Sequence, residues 1–120
     1  MDFTCELKQS ATITSTTTTA TFTINDGWVT GELRVVAGAA GSAGSQIKIT
    51  PTGLPPARSI AATVSLNRGW YRYTRPGVNS LRGPVRWDGV DLLPTDLGIT
   101  PSFAVASTDI LSIFIKYPVA

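Results

Sequence analysis

The chain has 120 residues, a formal net charge of +2, one cysteine and no histidine. This length suits a single domain that buries a hydrophobic core without a metal or a disulfide. The lack of histidine excludes a Ser-His-Asp or Cys-His catalytic device, and together with the single cysteine it excludes the usual zinc site. We therefore expect a non-enzymatic domain with no catalytic residues, no metal and no cofactor.

The N-terminal segment predicts strands and no export signal. MDFTCELKQS has no basic start followed by an apolar run, and no stretch of the chain reaches the roughly 18 apolar residues of a membrane span. In FTCEL the apolar residues alternate with polar ones, so Cys5 is expected to be a small buried hydrophobe. Residues 10–23 are rich in threonine but include Ile13 and Phe22, which indicates a strand and an exposed turn.

Alternating apolar residues predict further half-buried antiparallel strands. They are Phe22 and Ile24; Val29, Leu33 and Val35; Ile47 and Ile49; Ile60, Ala62, Val64 and Leu66; and Phe103 and Val105. NDG at 25–27 and WDG at 87–89 are typical of hairpin turns, and GAAGSAGS at 38–45 is typical of a loop. The prolines of TPTGLPPAR, residues 50–58, exclude a central strand, because proline cannot donate a ladder hydrogen bond.

The last run, DILSIFIKYPV, is apolar on both faces. One face carries Leu111, Ile113, Ile115 and Tyr117, and the other carries Ile110 and Phe114. Such a strand is either central in a sandwich or covered by a neighbouring subunit. With about eight or nine short strands, the chain is predicted to be an all-β antiparallel domain, which leaves a sandwich, a jelly roll and a barrel open.

Residues 67–87, NRGWYRYTRPGVNSLRGPVRW, form the segment best suited to binding. They hold five of the ten basic residues and no acid. In an extended strand Trp70 and Arg72 share one face, and Tyr71 and Tyr73 share the other. Guanidinium groups bind anions and stack on rings, so this composition suits a saccharide, a nucleic acid or a protein interface.

The candidate ligand- or partner-binding residues are Arg68, Trp70, Arg72, Tyr73, Arg75, Arg82 and Arg86. The alternative is that the tyrosines pack inward and the arginines form a solvated surface. The nearby acids Asp88, Asp91 and Asp96 fit no calcium loop, and we interpret them as turn residues.

Four short motifs follow one another in a recognisable order: DGWVTGELRVV (26–36), TGLPPARSI (52–60), RWDGVDLL (86–93) and IFIKYPVA (113–120). This order resembles that of the C-terminal head domains of bacteriophage receptor-binding and tail-fibre proteins. The resemblance divides the single domain, 1–120, into an N-terminal strand with a threonine-rich segment (1–19) and a head-like core (20–120). It departs from the family in reading PPAR where the family has RPA, and in having no fibre shaft before the head.

The head-domain resemblance implies a homotrimer in the virion, made in the host cytoplasm, that binds host cell-wall saccharides. Trp70, Arg72, Tyr73 and Arg75 fall where the ligand-contacting or interface loops of that family lie.

The leading hypothesis is thus a receptor-binding protein. The alternative is a capsid decoration or head-fibre protein that contacts capsid protein, since such proteins are also stand-alone β domains. A third hypothesis is an OB-like nucleic-acid binder, which the small net charge disfavours.

Overall fold

The backbone forms a ring of antiparallel strands. The computed structural model describes residues 1–14, 18–58, 67–75, 80–98 and 100–120. Its strands are β1 (Asp2–Gln9), β2 (Ala11–Thr12), β3 (Thr18–Asn25), β4 (Trp28–Val36), β5 (Ile47–Thr52), β6 (Asn67–Thr74), β7 (Leu81–Trp87), β8 (Leu92–Pro94) and β9 (Ile110–Pro118). A single 3-10 turn, Thr95–Leu97, follows β8 in this part of the chain.

The strands close into an eight-stranded barrel. Their order is β1-β3-β4-β9-β6-β7-β8-β5. The last strand, β5, pairs with the first, β1, over six residues, which closes the ring. The short strand β2 extends the end of β1 as a hairpin. The all-β prediction is confirmed, and of the three architectures left open the barrel is the one observed. An eight-stranded barrel has an interior just wide enough to be filled by side chains.

Alternation along the strands fills the barrel with apolar side chains. Phe3, Cys5 and Leu7 of β1 are at most 2% exposed, which confirms the prediction that Cys5 is a buried hydrophobe. Strand β9 pairs with β4 and β6 along its length, and its inner face points into the same core. The inward side chains of β9 are Leu111, Ile113, Ile115 and Tyr117. Strand β9 is therefore central, with a neighbour on each side, although in a barrel and not in a sandwich; cover by a neighbouring subunit stays a prediction.

The predicted turns are present. Asp26 and Gly27 both have positive φ, 52° and 78°, as the two-residue turn between β3 and β4 requires. Between β7 and β8, one carboxylate oxygen of Asp88 accepts hydrogen bonds from the backbone N–H groups of Val90 (2.8 Å) and Asp91 (2.6 Å). Asp88 is thus a turn residue, as interpreted from its place before a glycine.

Two strand predictions need correction. The predicted strand at Phe103 and Val105 is a loop, because the Val105 N–H bonds to a side chain, Gln9 Oε1, at 2.8 Å instead of to a neighbouring strand. TPTGLPPAR, residues 50–58, is predicted to contain no central strand, yet its first three residues belong to β5 and pair with β1. Proline is tolerated there because β8 pairs with β5 at Ile49, before the proline.

One predicted strand, with Ile60, Ala62, Val64 and Leu66, lies outside the described residues. The described ranges contain no helix with the length and apolar character needed to traverse a lipid bilayer.

Candidate functional site

A groove lies on the outside of the barrel, across β3, β4, β9 and β6. Its volume is about 640 Å³. Its lining includes Thr21, Glu32, Arg34, Trp70, Arg72 and Phe114. We call this surface the outer groove. It combines aromatic, hydroxyl, acidic and basic groups on one rigid sheet.

Two stacked aromatic rings line the outer groove. Trp70 of β6 and Phe114 of β9 are cross-strand partners, with ring centroids 4.6 Å apart and planes inclined by 25°. We call this pair the aromatic shelf. Trp70 is 59% exposed, so much of the indole ring is accessible to a ligand. Cross-strand aromatic pairs stabilise sheets, and exposed tryptophan is enriched at binding interfaces because it joins a large apolar ring to a polar N–H group.

The strand register places polar groups beside the aromatic shelf. Thr21, Glu32, Phe114 and Trp70 are successive partners across the four strands. Adjacent strands are about 4.8 Å apart, so Glu32 lies one strand away from the Phe114 ring and two from Trp70. A ligand that extends from the shelf across β9 therefore meets a carboxylate on β4 and a hydroxyl on β3.

A second row of partners runs parallel to the first. Arg34, Ser112, Arg72 and Arg82 are opposite one another on β4, β9, β6 and β7. The three arginines of this row, Arg34, Arg72 and Arg82, are exposed, and we call them the arginine row. It lies two residues along the strands from the aromatic shelf.

Four of the seven predicted binding residues point outward: Trp70, Arg72, Arg82 and Arg86. Alternation along β6 is as predicted, since Tyr71 and Tyr73 are 2% and 3% exposed. Arg68 is buried, and its Nη2 donates to the carbonyl oxygen of Arg58 at 3.2 Å. A β-bulge between Asn67 and Gly69 interrupts the alternation before Trp70, so Arg68 does not follow the outward pattern.

Tyr73 and Arg75 belong to a separate polar cluster around a buried acid, Asp109. The Tyr73 hydroxyl donates to the carboxylate, Arg75 Nη2 donates to it at 2.9 Å, and the Ala106 N–H donates at 2.9 Å. Arg75 also donates to the carbonyl oxygen of Ala104 at 3.0 Å. Tyr73 and Arg75 therefore hold the loop before β9, and they do not contribute to the outer groove.

The ionisation of this cluster follows from its contacts. Burial alone would raise the pKa of Asp109, but the hydrogen bonds from Arg75, Tyr73 and the Ala106 N–H outweigh it and hold the pKa below its usual value. Burial, then the hydrogen bond and charge of Asp109, raise the pKa of Tyr73 well above its usual range. At neutral pH the carboxylate is thus charged and the phenol is protonated.

Two structurally important polar residues escaped the sequence interpretation, Asp109 and Gln9. Gln9 is 1% exposed, and its amide donates to the carbonyl oxygens of Ser45 (3.2 Å) and Phe103 (3.0 Å). The alternation that placed Cys5 inside the barrel also places Gln9 there, so the pattern contained this signal. Asp109 precedes the apolar run of β9, and nothing in its sequence neighbourhood marks it as buried.

Comparisons with known proteins identify no relative. No protein-family model, no curated protein sequence and no solved structure matches the chain significantly. Over the residues that the structure describes, no group of three or more acidic or cysteine side chains is placed to hold a metal ion. The outer groove is therefore the feature that bears on function, and the resemblance to phage head domains stays a prediction.

Proposed function

We propose that this chain is a non-enzymatic bacteriophage virion surface protein of the receptor-binding type, which recognises host cell-surface saccharides in the outer groove. The observation that carries the proposal is the aromatic shelf, a 59% exposed indole ring stacked against a second ring. A sugar ring has an apolar C–H face that stacks on such a surface, and its hydroxyl rim needs hydrogen-bond partners nearby.

Each side chain of the outer groove has a distinct task in this proposal. Trp70 stacks on the sugar, and Phe114 fixes the orientation of the indole ring before the ligand arrives. Preorganisation of this kind limits the conformational entropy that binding costs. Glu32 accepts hydrogen bonds from hydroxyl groups, and Arg72 donates them, since a guanidinium carries five N–H donors.

Substitution of the exposed tryptophan tests the saccharide proposal. We expect Trp70→Ala to weaken binding to the recognised polysaccharide roughly tenfold or more, because the stacking surface is lost. Trp28→Ala is the matched control: Trp28 is also exposed, but it lies at the far end of β4, beneath Lys116 at 5.6 Å, and does not line the groove. Binding can be measured on a polysaccharide array and by titration of tryptophan fluorescence. Equal losses in the two variants, or none in either, would contradict the proposal.

The virion location rests on the resemblance to phage head domains, and it has its own test. Gold labelling of intact particles with an antibody against this chain is expected to mark the tail tip. Label spread over the shell would instead favour the capsid decoration alternative, in which the same exposed arginines would contact capsid protein.

The proposed homotrimer predicts a solution mass three times the chain mass of 12.7 kDa by light scattering.

A further inference from the structure

The arginine row carries positive charge that the protein itself does not neutralise. All eight acidic residues of the chain lie within the described ranges, and none forms an ion pair with Arg34, Arg72 or Arg82. The ion pairs present join Lys48 to Asp91 and Arg75 to Asp109. The guanidinium groups of the row are therefore available to a partner.

Two members of the row repel each other in the free protein. Arg72 and Arg82 are direct partners on the neighbouring strands β6 and β7, and both are exposed. Adjacent strands are about 4.8 Å apart, and like charges directly opposite one another are unfavourable. An anionic group bound between the two guanidinium groups would relieve this repulsion and accept hydrogen bonds from both.

Resting on the proposed function, we infer that the saccharide recognised in the outer groove is anionic. The chemical class is a polysaccharide with carboxylate or phosphate groups. Two residues of a strand span about 7 Å, so the arginine row can reach an acidic substituent on the sugar that stacks on Trp70 or on the next sugar. The aromatic shelf holds the ring, and the acidic group is bound by Arg72, which lines the outer groove, and by Arg82, which lies opposite Arg72 on β7.

The outer groove fits a polysaccharide better than a nucleic acid. Glu32 lines the groove beside the aromatic shelf and would repel a phosphate backbone that followed the strands, while it accepts hydrogen bonds from sugar hydroxyls. The whole chain has a net charge of only +2, whereas nucleic-acid binders derive affinity from many phosphate contacts. One aromatic shelf and three arginines instead suit an acid group on a hydroxyl-rich polymer.

The test uses the full chain and an array of acidic and neutral bacterial polysaccharides. We expect the strongest binders to be acidic, and we expect chemical neutralisation of their carboxylate or phosphate groups to weaken binding roughly tenfold. Arg72→Gln and Arg82→Gln should each give a similar loss. Arg58→Gln is the control, because it removes the same charge from another exposed side chain. The backbone N–H of Arg58 donates to the carbonyl oxygen of Pro118, at the far end of β9.

Salt dependence gives an independent readout. Binding should weaken markedly between about 20 mM and about 500 mM NaCl, because salt screens exposed charges over this range. Preference for neutral polymers, or unchanged binding in Arg72→Gln, would overturn the inference while leaving saccharide recognition intact. Failure to bind any polysaccharide would overturn the proposed function itself. Tighter, salt-sensitive binding to a thymidine oligonucleotide would overturn both in favour of a nucleic-acid binder.

Discussion

Replacement of the buried acid Asp109 by asparagine tests what holds the loop before β9 in place. The carboxylate accepts hydrogen bonds from the Tyr73 hydroxyl, from Arg75 and from the Ala106 N–H. Asparagine keeps one acceptor oxygen and replaces the other with an amide group, which donates and therefore faces the donors of Arg75. Asp109→Asn thus removes the charge and sets donor against donor at a site that is 1% exposed.

The expected loss of stability follows from the burial of each partner. Breaking a buried ion pair costs about 3 to 5 kcal/mol when the remaining charge stays buried. The Arg75 side chain is 37% exposed and can be solvated, so we expect the lower end, about 3 kcal/mol. Tyr73→Phe leaves the ion pair intact and should cost about 1 to 2 kcal/mol. Both losses are smaller than the usual 5 to 15 kcal/mol stability of a domain, so the variants should fold.

Urea unfolding followed by tryptophan fluorescence measures these losses. Because the pKa of Asp109 is lowered in the folded state, its stabilisation is present above the ordinary value of 3.8 and is lost as the pH falls below it. The difference between wild type and Asp109→Asn should therefore shrink between pH 7 and about pH 3. Asp26→Asn, the same change at an exposed turn, should alter stability by less than about 0.5 kcal/mol. A loss below about 1 kcal/mol at pH 7, or a loss that does not depend on pH, would refute this account.

Three further predictions concern the barrel itself. Gln9→Leu should cost about 2 to 4 kcal/mol, because it leaves buried backbone groups without partners, and the Val105 amide should exchange faster with deuterium; unchanged exchange would contradict the role of Gln9. Burial raises the pKa of the Cys5 thiol from 9.0 to about 11. The protonated thiol therefore stabilises the folded state, and this stabilisation is lost progressively as the pH rises above 9. Wild type should lose about 1 kcal/mol between pH 9 and pH 10 that Cys5→Ala does not lose, and parallel pH curves would argue against this. Gly69→Ala should lower the thermal unfolding midpoint sharply, since an added Cβ would collide with the Phe114 carbonyl oxygen, and a wild-type midpoint would show that the bulge can relax.

Most of the fold could be predicted because it depends on alternation and turn chemistry. The inward faces of β1, β4 and β9 and the turn at Asp26 and Gly27 follow from short local patterns. The barrel could not be chosen over a sandwich from the same patterns, because closure depends on one long-range pairing. In that pairing β5 joins β1, with partners such as Leu7 and Ile49 more than 40 residues apart.

The candidate site could be predicted in part for a similar reason. Alternation separates Trp70 and Arg72 from Tyr73, as the sequence indicates. The partners that give Trp70 its surroundings, Phe114 and Glu32, come from distant strands, and only the barrel register brings them together. The bulge in β6 likewise could not be read from the sequence.

The arginines of one short segment have two different physical tasks, and their environment decides which. Arg75 donates hydrogen bonds to the buried carboxylate of Asp109, which would destabilise the fold if it were unpaired. The positive charge of Arg75 therefore stabilises the loop before β9. Within the described ranges Arg72 forms no ion pair and faces another arginine, Arg82, in solvent, so its charge does not stabilise the free protein. Loss of Arg72 should therefore weaken binding without lowering stability, whereas loss of Arg75 should lower stability without weakening binding. The two groups can be separated by measuring both properties on the same variants.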